Sequence, residues 1–346
     1  MSEAICCPAC GATLAANEIH CSKCGFQNAT VQFFADEKSF QLWENERSRI
    51  ANELNAAKAE LYRGEPLLSV CSNRVAILNP KSYVLRIYTR FGAFQEFSNV
   101  KQVQLSDSHF AILFKDGSMK AEGDNNYSQC NVTHLQRVKD ICAFNNCTLA
   151  VNADGTLQVR GYTPLKDLIE KWDHLSAIWG NSHQIVGVKE DGSVVFAAIL
   201  SGNAVIEHSF STAQLGGKAK TAVACTLSDS HILMCALLDN GHVCRVTCSG
   251  TDTSLQSMPE SDYIALAATS DAVLLLRNSG EVTSVGTNIS LQQEIPQWRN
   301  TLLIAGNENG AASVDQNGLL HLAGGKNYCQ RSLLDEGKWD PSFIVS

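Results

Sequence analysis

Positive charge is scarce in this chain: 27 Lys and Arg stand against 35 Asp and Glu, a net charge of −8 over 346 residues. That balance excludes the basic field of a dedicated DNA- or RNA-binding protein and leaves room only for a local patch. Long apolar runs are missing too. The greasiest stretch, Ile264 to Leu276, contains Ser, Thr and Asp271 and falls short of the ~18–20 residues of a membrane span. The first residues, MSEAICCPACGATL, carry Glu3 but no Lys or Arg, so the positive flank of a signal peptide is absent. No Gly-rich phosphate loop, no G-x-S-x-G and no paired-metal signature occurs. Fourteen cysteines in 346 residues are too dilute for a secreted disulfide scaffold. The expectation is a soluble, cytoplasmic protein with its thiols reduced, and not an enzyme.

What is present begins with four of those cysteines. The N-terminus reads Cys7-Pro-Ala-Cys10-Gly11, then ten residues, then Cys21-Ser-Lys-Cys24-Gly25. Each C-x-x-C-G can aim two thiolates at one ion, and the glycine permits the positive φ that brings backbone amides to the sulfurs. Four soft ligands suit tetrahedral zinc and leave no open coordination position, so one structural Zn2+ is expected on Cys7, Cys10, Cys21 and Cys24. Some thirty residues cannot bury a stabilising core, so the metal would supply the folding energy. Cys6 competes with Cys7 on paper, but only Cys7 has the two-residue gap to Cys10. The pattern resembles the short zinc ribbon over residues 5–28.

Residues 36–64 follow as a predicted linking α-helix, free of Gly and Pro until Gly64. Phe40, Trp43, Ile50, Leu54, Ala57 and Leu61 fall at spacings of three and four, one apolar stripe. A helix laid on the neighbouring domain is favoured over weak self-association, because Arg47 interrupts the seam.

From residue 67 onward the chain repeats itself. An apolar run ending in a turn glycine recurs at Gly117, Gly155, Gly192, Gly241, Gly280 and Gly318, with gaps of 38, 37, 49, 39 and 38 residues. A second glycine follows six residues later at Gly123, Gly161, Gly286 and Gly324. A degenerate first unit has its turn at Asn79-Pro80-Lys81, one period before Gly117. Hairpins at a period near 40 predict a mainly β chain and a propeller of seven blades over residues 67–346. The apolar runs VLLL, FAILF and IALAA read as inner strands buried on both faces.

Two segments then carry a resemblance. Glu122-Gly123-Asp124-Asn125-Asn126-Tyr127-Ser128-Gln129 is similar to the W-G-x-N-x-x-G-Q ending of regulator-of-chromosome-condensation repeats, and Ala323 to Gln330 repeats the Asn-Tyr-x-Gln register. Ser108-His109 and Ser230-His231 echo that family's S-x-x-H start, with His183 as a third instance. The family's Trp is Glu122 or Ala323 here, and its second Gly is Ser128 or Cys329. The resemblance implies a propeller that binds other proteins; one bacterial relative inhibits β-lactamases by binding them. It does not carry over exchange-factor activity.

His109, His183 and His231 read as equivalent places at the mouths of inner strands, where three imidazoles would converge on a central channel as a metal or acid–base site; against this, other units hold Cys147, Ala272 and Ala311 there and the three blades are not all neighbours. Repeated structural work is the simpler expectation. The carboxylates Asp116, Asp154 and Asp191 are explained by turn chemistry. The 49-residue gap places an insertion at residues 201–220, a candidate binding loop. Together these features predict a protein–protein interaction scaffold with an unidentified protein partner. A nucleic-acid-associated regulator acting through the ribbon is the alternative, and a channel enzyme a weaker one.

Overall fold

The computed structural model describes residues 67–89, 93–288, 291, 294–308, 310–324 and 343, together with 5–6 and 13–14. The chain divides into two compact units, Met1–Ala57 and Lys58–Ser346. In the first, β1 (Ile5–Cys6) pairs antiparallel with β2 (Thr13–Leu14). Cys7, Cys10, Cys21, Cys24 and the expected 36–64 helix lie outside the described residues.

The second unit consists of seven antiparallel sheets taken strictly in chain order. Blade 1 is β3 (Leu68–Cys71), β4 (Arg74–Leu78), β5 (Leu85–Thr89) and β6 (Phe94–Phe97); blade 2 is β7 (Val100–Leu105), β8 (His109–Phe114) and β9 (Met119–Gly123). Blade 3 is β10 (Val138–Phe144), β11 (Cys147–Asn152) and β12 (Leu157–Gly161). Blade 4 is β13 (Leu175–Gly180), β14 (Gln184–Lys189), β15 (Val194–Ile199) and β16 (Val205–Phe210). Blade 5 is β17 (Ala219–Ser228), β18 (His231–Leu238), β19 (Val243–Ser249) and β20 (Asp252–Ser257). Blade 6 is β21 (Tyr263–Ala268), β22 (Ala272–Arg277) and β23 (Val282–Gly286), and blade 7 is β24 (Thr301–Asn307), β25 (Gly310–Asp315) and β26 (Leu320–Gly324). The first strand of each blade touches the first strand of the next, and β24 touches β3. The ring is therefore closed, a seven-bladed β-propeller.

The most buried strand of a blade is its second, not its innermost. β14 and β22 each read buried at five consecutive positions, because both their faces meet neighbouring blades. First strands such as β21 are only half-buried along their middle, since one face looks into the channel. VLLL and FAILF accordingly belong to second strands, and only IALAA is innermost.

The two glycines have separate causes. Gly117 ends the hairpin between β8 and β9 at φ +82°, and its carbonyl accepts from the Val138 N–H that starts blade 3. The same bond links Gly155 to Leu175, Gly192 to Ala219, Gly241 to Tyr263 and Gly280 to Thr301. In blade 1 Tyr83, at φ +56°, takes this place and accepts from Val100 N–H. The second glycine ends the third strand beneath the preceding turn. At Gly161, φ +94°, a Cβ would sit 2.0 Å from the Asn146 carbonyl oxygen. Each blade ending its third strand in such a glycine, at 123, 161, 286 or 324, has three strands. Blades with Thr89, Ala198 or Ser249 opposite the same partner position continue into a fourth.

Residues 201–220 are not the free loop that their excess length suggests. They build β16, paired along β15 from Ile199↔Val205 to Val194↔Phe210. A turn of helix, α2 (Thr212–Leu215), follows, with Ser211 and Gln214 forming a capping box. The earlier α1 (Lys166–Ile169) takes the corresponding place after blade 3. The tail reaches blade 1: Phe343 is buried, its carbonyl accepts from Asn79 Nδ2 at 2.6 Å, and the Arg86 guanidinium lies 4.0 Å from its ring centroid.

Candidate interaction face at the channel mouth

The two-residue turns between first and second strands form one end of the channel. Their described residues are Ser72-Asn73, Asp107-Ser108, Asn145-Asn146, Ser182-His183, Asp229-Ser230, Ser270-Asp271 and Glu308. Four of these turns carry a carboxylate and none carries Lys or Arg, so the mouth has negative polarity.

Side chains there lace blade to blade. Ser72 donates from its N–H and its hydroxyl to Asp107, at 2.7 and 2.9 Å. The Ser108 hydroxyl donates to Asn145 O, Asn145 Nδ2 donates to Ser182 Oγ, and the Ser182 hydroxyl donates to Glu308. The last bond crosses from blade 4 to blade 7. Deeper in, Gln102 exchanges two bonds with the Ile141 backbone, at 3.0 and 3.3 Å. The Ile178 N–H donates to Asp140 at 2.6 Å. Desolvation there pushes the Asp140 carboxyl up to about 6, against the pull of the Ile178 bond.

The three histidines do not converge on one site. Register places Arg74, His109, Cys147, Gln184, His231, Ala272 and Gly310 at equivalent starts of second strands. His183 is one residue out, in the turn itself, and Ala311 likewise gives way to Gly310. Sequence alone hid this, because a one-residue difference in how a turn begins shifts the register. The serines at S-x-x-H spacing are Ser106 and Ser228, each 3.0 Å from Nδ1 of its histidine. His109 is fully buried, with Nε2 at 2.7 Å from Thr148 Oγ1 of the next blade. Burial lowers its pKa to about 4, so it is neutral. Gln184 does the same work from blade 4, donating to Thr226 Oγ1 at 2.6 Å. Of the three histidines, His109 is thus an inter-blade tie, while His231 bonds Ser228 and Ser230 of its own blade.

On the tip face, Asp116, Asp154 and Asp191 each accept from the N–H and hydroxyl of the Ser or Thr two residues on, which holds their pKa values down. Turn chemistry accounts for them. Among the described residues no group of three or more His, Cys, Asp or Glu is placed to hold a metal ion. Cys142, Cys147, Cys225, Cys235, Cys244 and Cys248 are free and buried, and desolvation raises every one of their pKa values. They are protonated, unreactive core residues.

The cavity at the mouth is about 60 Å³, lined by Ser69, Gln104, Asp107, Asn145, Trp179 and Glu308 among others, room for a few waters. Beside it on the rim stand Tyr127 and Tyr162, 51% and 59% exposed, with ring centroids 5.9 Å apart. Each follows one of the strand-ending glycines, Gly123 and Gly161, and Tyr162 N–H donates to the mouth carbonyl of Asn146 at 2.9 Å. Sequence reasoning read Tyr127 only as part of a repeat ending and passed over Tyr162. Tyr162 follows Gly161 directly, whereas Tyr127 lies four residues after Gly123, so the repeat register alone does not pair them.

No protein-family model matches the chain, and no curated protein matches it in sequence. Solved structures do. The chain is similar to human WBSCR16, with TM-score 0.51 and 11% identity over 72% of this chain and 86% of that one. It is similar to Prp20p of Saccharomyces cerevisiae, a protein studied for its binding to Gsp1p and histones, with TM-score 0.50 and 10% identity over 78% and 84%. The ectodomain of the Physcomitrella patens receptor kinase CR4 gives 0.51 and 14% over 75% and 74%. These likenesses share a fold and nothing finer. A β-propeller, the fold these structures share, is therefore the architecture of residues 67–324.

Proposed function

We propose that this chain is a non-enzymatic interaction protein whose propeller presents the mouth face to a protein partner. The observation that carries the reading is the Tyr127–Tyr162 pair, a large exposed aromatic surface on a rigid rim. Tyrosine supplies contact area at low entropic cost and is enriched where binding energy concentrates. The mouth's polar groups are consumed in tying blades together, and its cavity is small, which favours surface recognition over channel chemistry. Proteins of the same fold that bind proteins, Prp20p with Gsp1p and histones among them, support the class of partner without naming it. Capture from extract of the native host tests this. The intact chain should retain a partner that Tyr127→Ala/Tyr162→Ala loses at unchanged melting temperature. Retention by the double variant would move the interface elsewhere.

The N-terminal unit is proposed as a zinc ribbon, with Cys7, Cys10, Cys21 and Cys24 on one structural ion. Two C-x-x-C-G knuckles support it, as does the antiparallel pairing of Ile5–Cys6 with Thr13–Leu14, which brackets the first knuckle. Metal analysis of the purified chain should give one zinc per chain, falling to none in Cys21→Ser/Cys24→Ser. A metal-free wild type would overturn the assignment. Free, buried thiols throughout the propeller favour a reducing, cytoplasmic setting.

A further inference from the structure

Along the outer edge of blade 3, from the β11–β12 turn to Arg160, a groove of about 500 Å³ separates that edge from the connection that leads out of blade 2. It is lined by His134, Leu135, Arg137, Asp154, Gln158 and Arg160, among others. Its position follows from strand number: blade 3 stops at β12, so Gln158 and Arg160 stand on an outermost strand that no fourth strand covers. Leu157 and Val159 turn the other way into the core. Val132 and Leu135 pin the connection against Ala150 and Ile141, which fixes the groove's second wall.

The groove is basic in an acidic protein. Elsewhere Arg86 pairs with Glu96, Lys139 with Glu190, Lys189 with Asp173, and Arg277 with Asp262. Arg137 and Arg160 form no ion pair among the described residues. The Arg160 fork is held in place: Nη2 lies 3.0 Å from His134 Nε2 and 3.2 Å from Gln158 Oε1, and Nη1 lies 3.2 Å from Val159 O. A guanidinium is always protonated and only donates, so His134 Nε2 is the acceptor and the imidazole proton sits on Nδ1. The remaining Arg160 nitrogen, Nε, is buried and unpartnered. Asp154, the one carboxylate lining the groove, accepts from the Thr156 N–H at 3.0 Å and hydroxyl at 2.7 Å, and the nearby Arg137 charge adds to these bonds in holding its pKa down.

We propose that this groove binds a small molecule through an oxyanion, carboxylate or phosphate, clamped by Arg160 with Arg137 as the second charge. Nη2 spends both its N–H groups on His134 and Gln158 and Nη1 spends one on Val159, so Arg160 offers an oxyanion its fixed charge and the remaining Nη1 N–H, and Arg137 supplies the second cation. The site is separate from the mouth face, and its occupation does not depend on the partner reading.

The test is calorimetric titration of the full chain with citrate and, separately, with inorganic phosphate, in wild type, Arg160→Gln and Arg137→Gln. Saturable binding below about 10 mM is expected for at least one probe, weakened about tenfold or more in each variant and weakened by added salt. Preference for citrate assigns carboxylate recognition, and preference for phosphate assigns phosphate. No saturable binding of either probe overturns the proposal, as does binding that survives both substitutions. Arg137 is exposed, so Arg137→Gln reads the site even if Arg160→Gln melts early.

Discussion

His109 and Asp140 sit in the same polar lacing between blades, and desolvation drives them in opposite senses on the pH axis. The folded His109 titrates near 4, below its ordinary 6.5. Between those values the unfolded chain takes up a proton that the native one refuses, so this contribution is whole above about 6.5 and is lost as pH falls toward 4. Asp140 titrates near 6 when folded, above its ordinary 3.8. Its contribution is whole below about 3.8 and is lost as pH rises through 6. The two offset each other between pH 4 and 6. Asp140→Asn should therefore make the melting temperature fall more steeply on acidification from pH 6.5 to 4, by at most about 1.4 kcal/mol per pH unit. His109→Gln, which copies Gln184 of blade 4, should flatten the curve. Identical slopes in all three proteins would refute both assignments. None of this was legible in the sequence, where His109 stood out by name while its partner Thr148, like Ile178 that donates to Asp140, came from another repeat.

At the scale of the strand, the repeat pattern told more than the periodicity alone. The four second glycines marked the blades that stop at three strands, because a side chain there would strike the carbonyl of the turn beside it. Gly161→Ala should cost about 2–3 kcal/mol or more, from positive-φ strain plus that overlap. Gly202→Ala, also at positive φ (+78°) but with nothing within 4 Å, should cost only about 1 kcal/mol. Urea denaturation of both separates steric approach from backbone preference; equal losses would leave the preference alone as the cause. The 201–220 segment shows where the sequence misled. Extra length read as a loop, yet alternation in Val205–Phe210 was present and is what pairs along β15. An alternating run following turn residues such as Gly202-Asn203 signals an added strand.

Among the described residues, the strands of the last blade, β24 to β26, come from one stretch of chain, and Phe343 seats on blade 1. Seven units and their order were legible because each blade is a local hairpin series, six of them marked by a turn glycine and the first, where Tyr83 takes that place, by the period alone. Seating of the tail was not, because it depends on Asn79 and Arg86, some 260 residues distant. Phe343→Ala should cost about 3 kcal/mol and lower the melting temperature by about 6–12 °C. An unchanged melt would detach the tail from the stability of the ring.

Glu308 gives the mouth collar a direction in time. Its bond to Ser182 spans 126 residues, and a chain being synthesised exposes Asn145 and Ser182 well before their last partner exists. Blades 1 to 6 can fold as they emerge, but the collar is completed only by blade 7. The finished mouth face is thus a certificate of complete translation: a polypeptide truncated anywhere in its final repeat carries the rim tyrosines on an arc whose ends have not met.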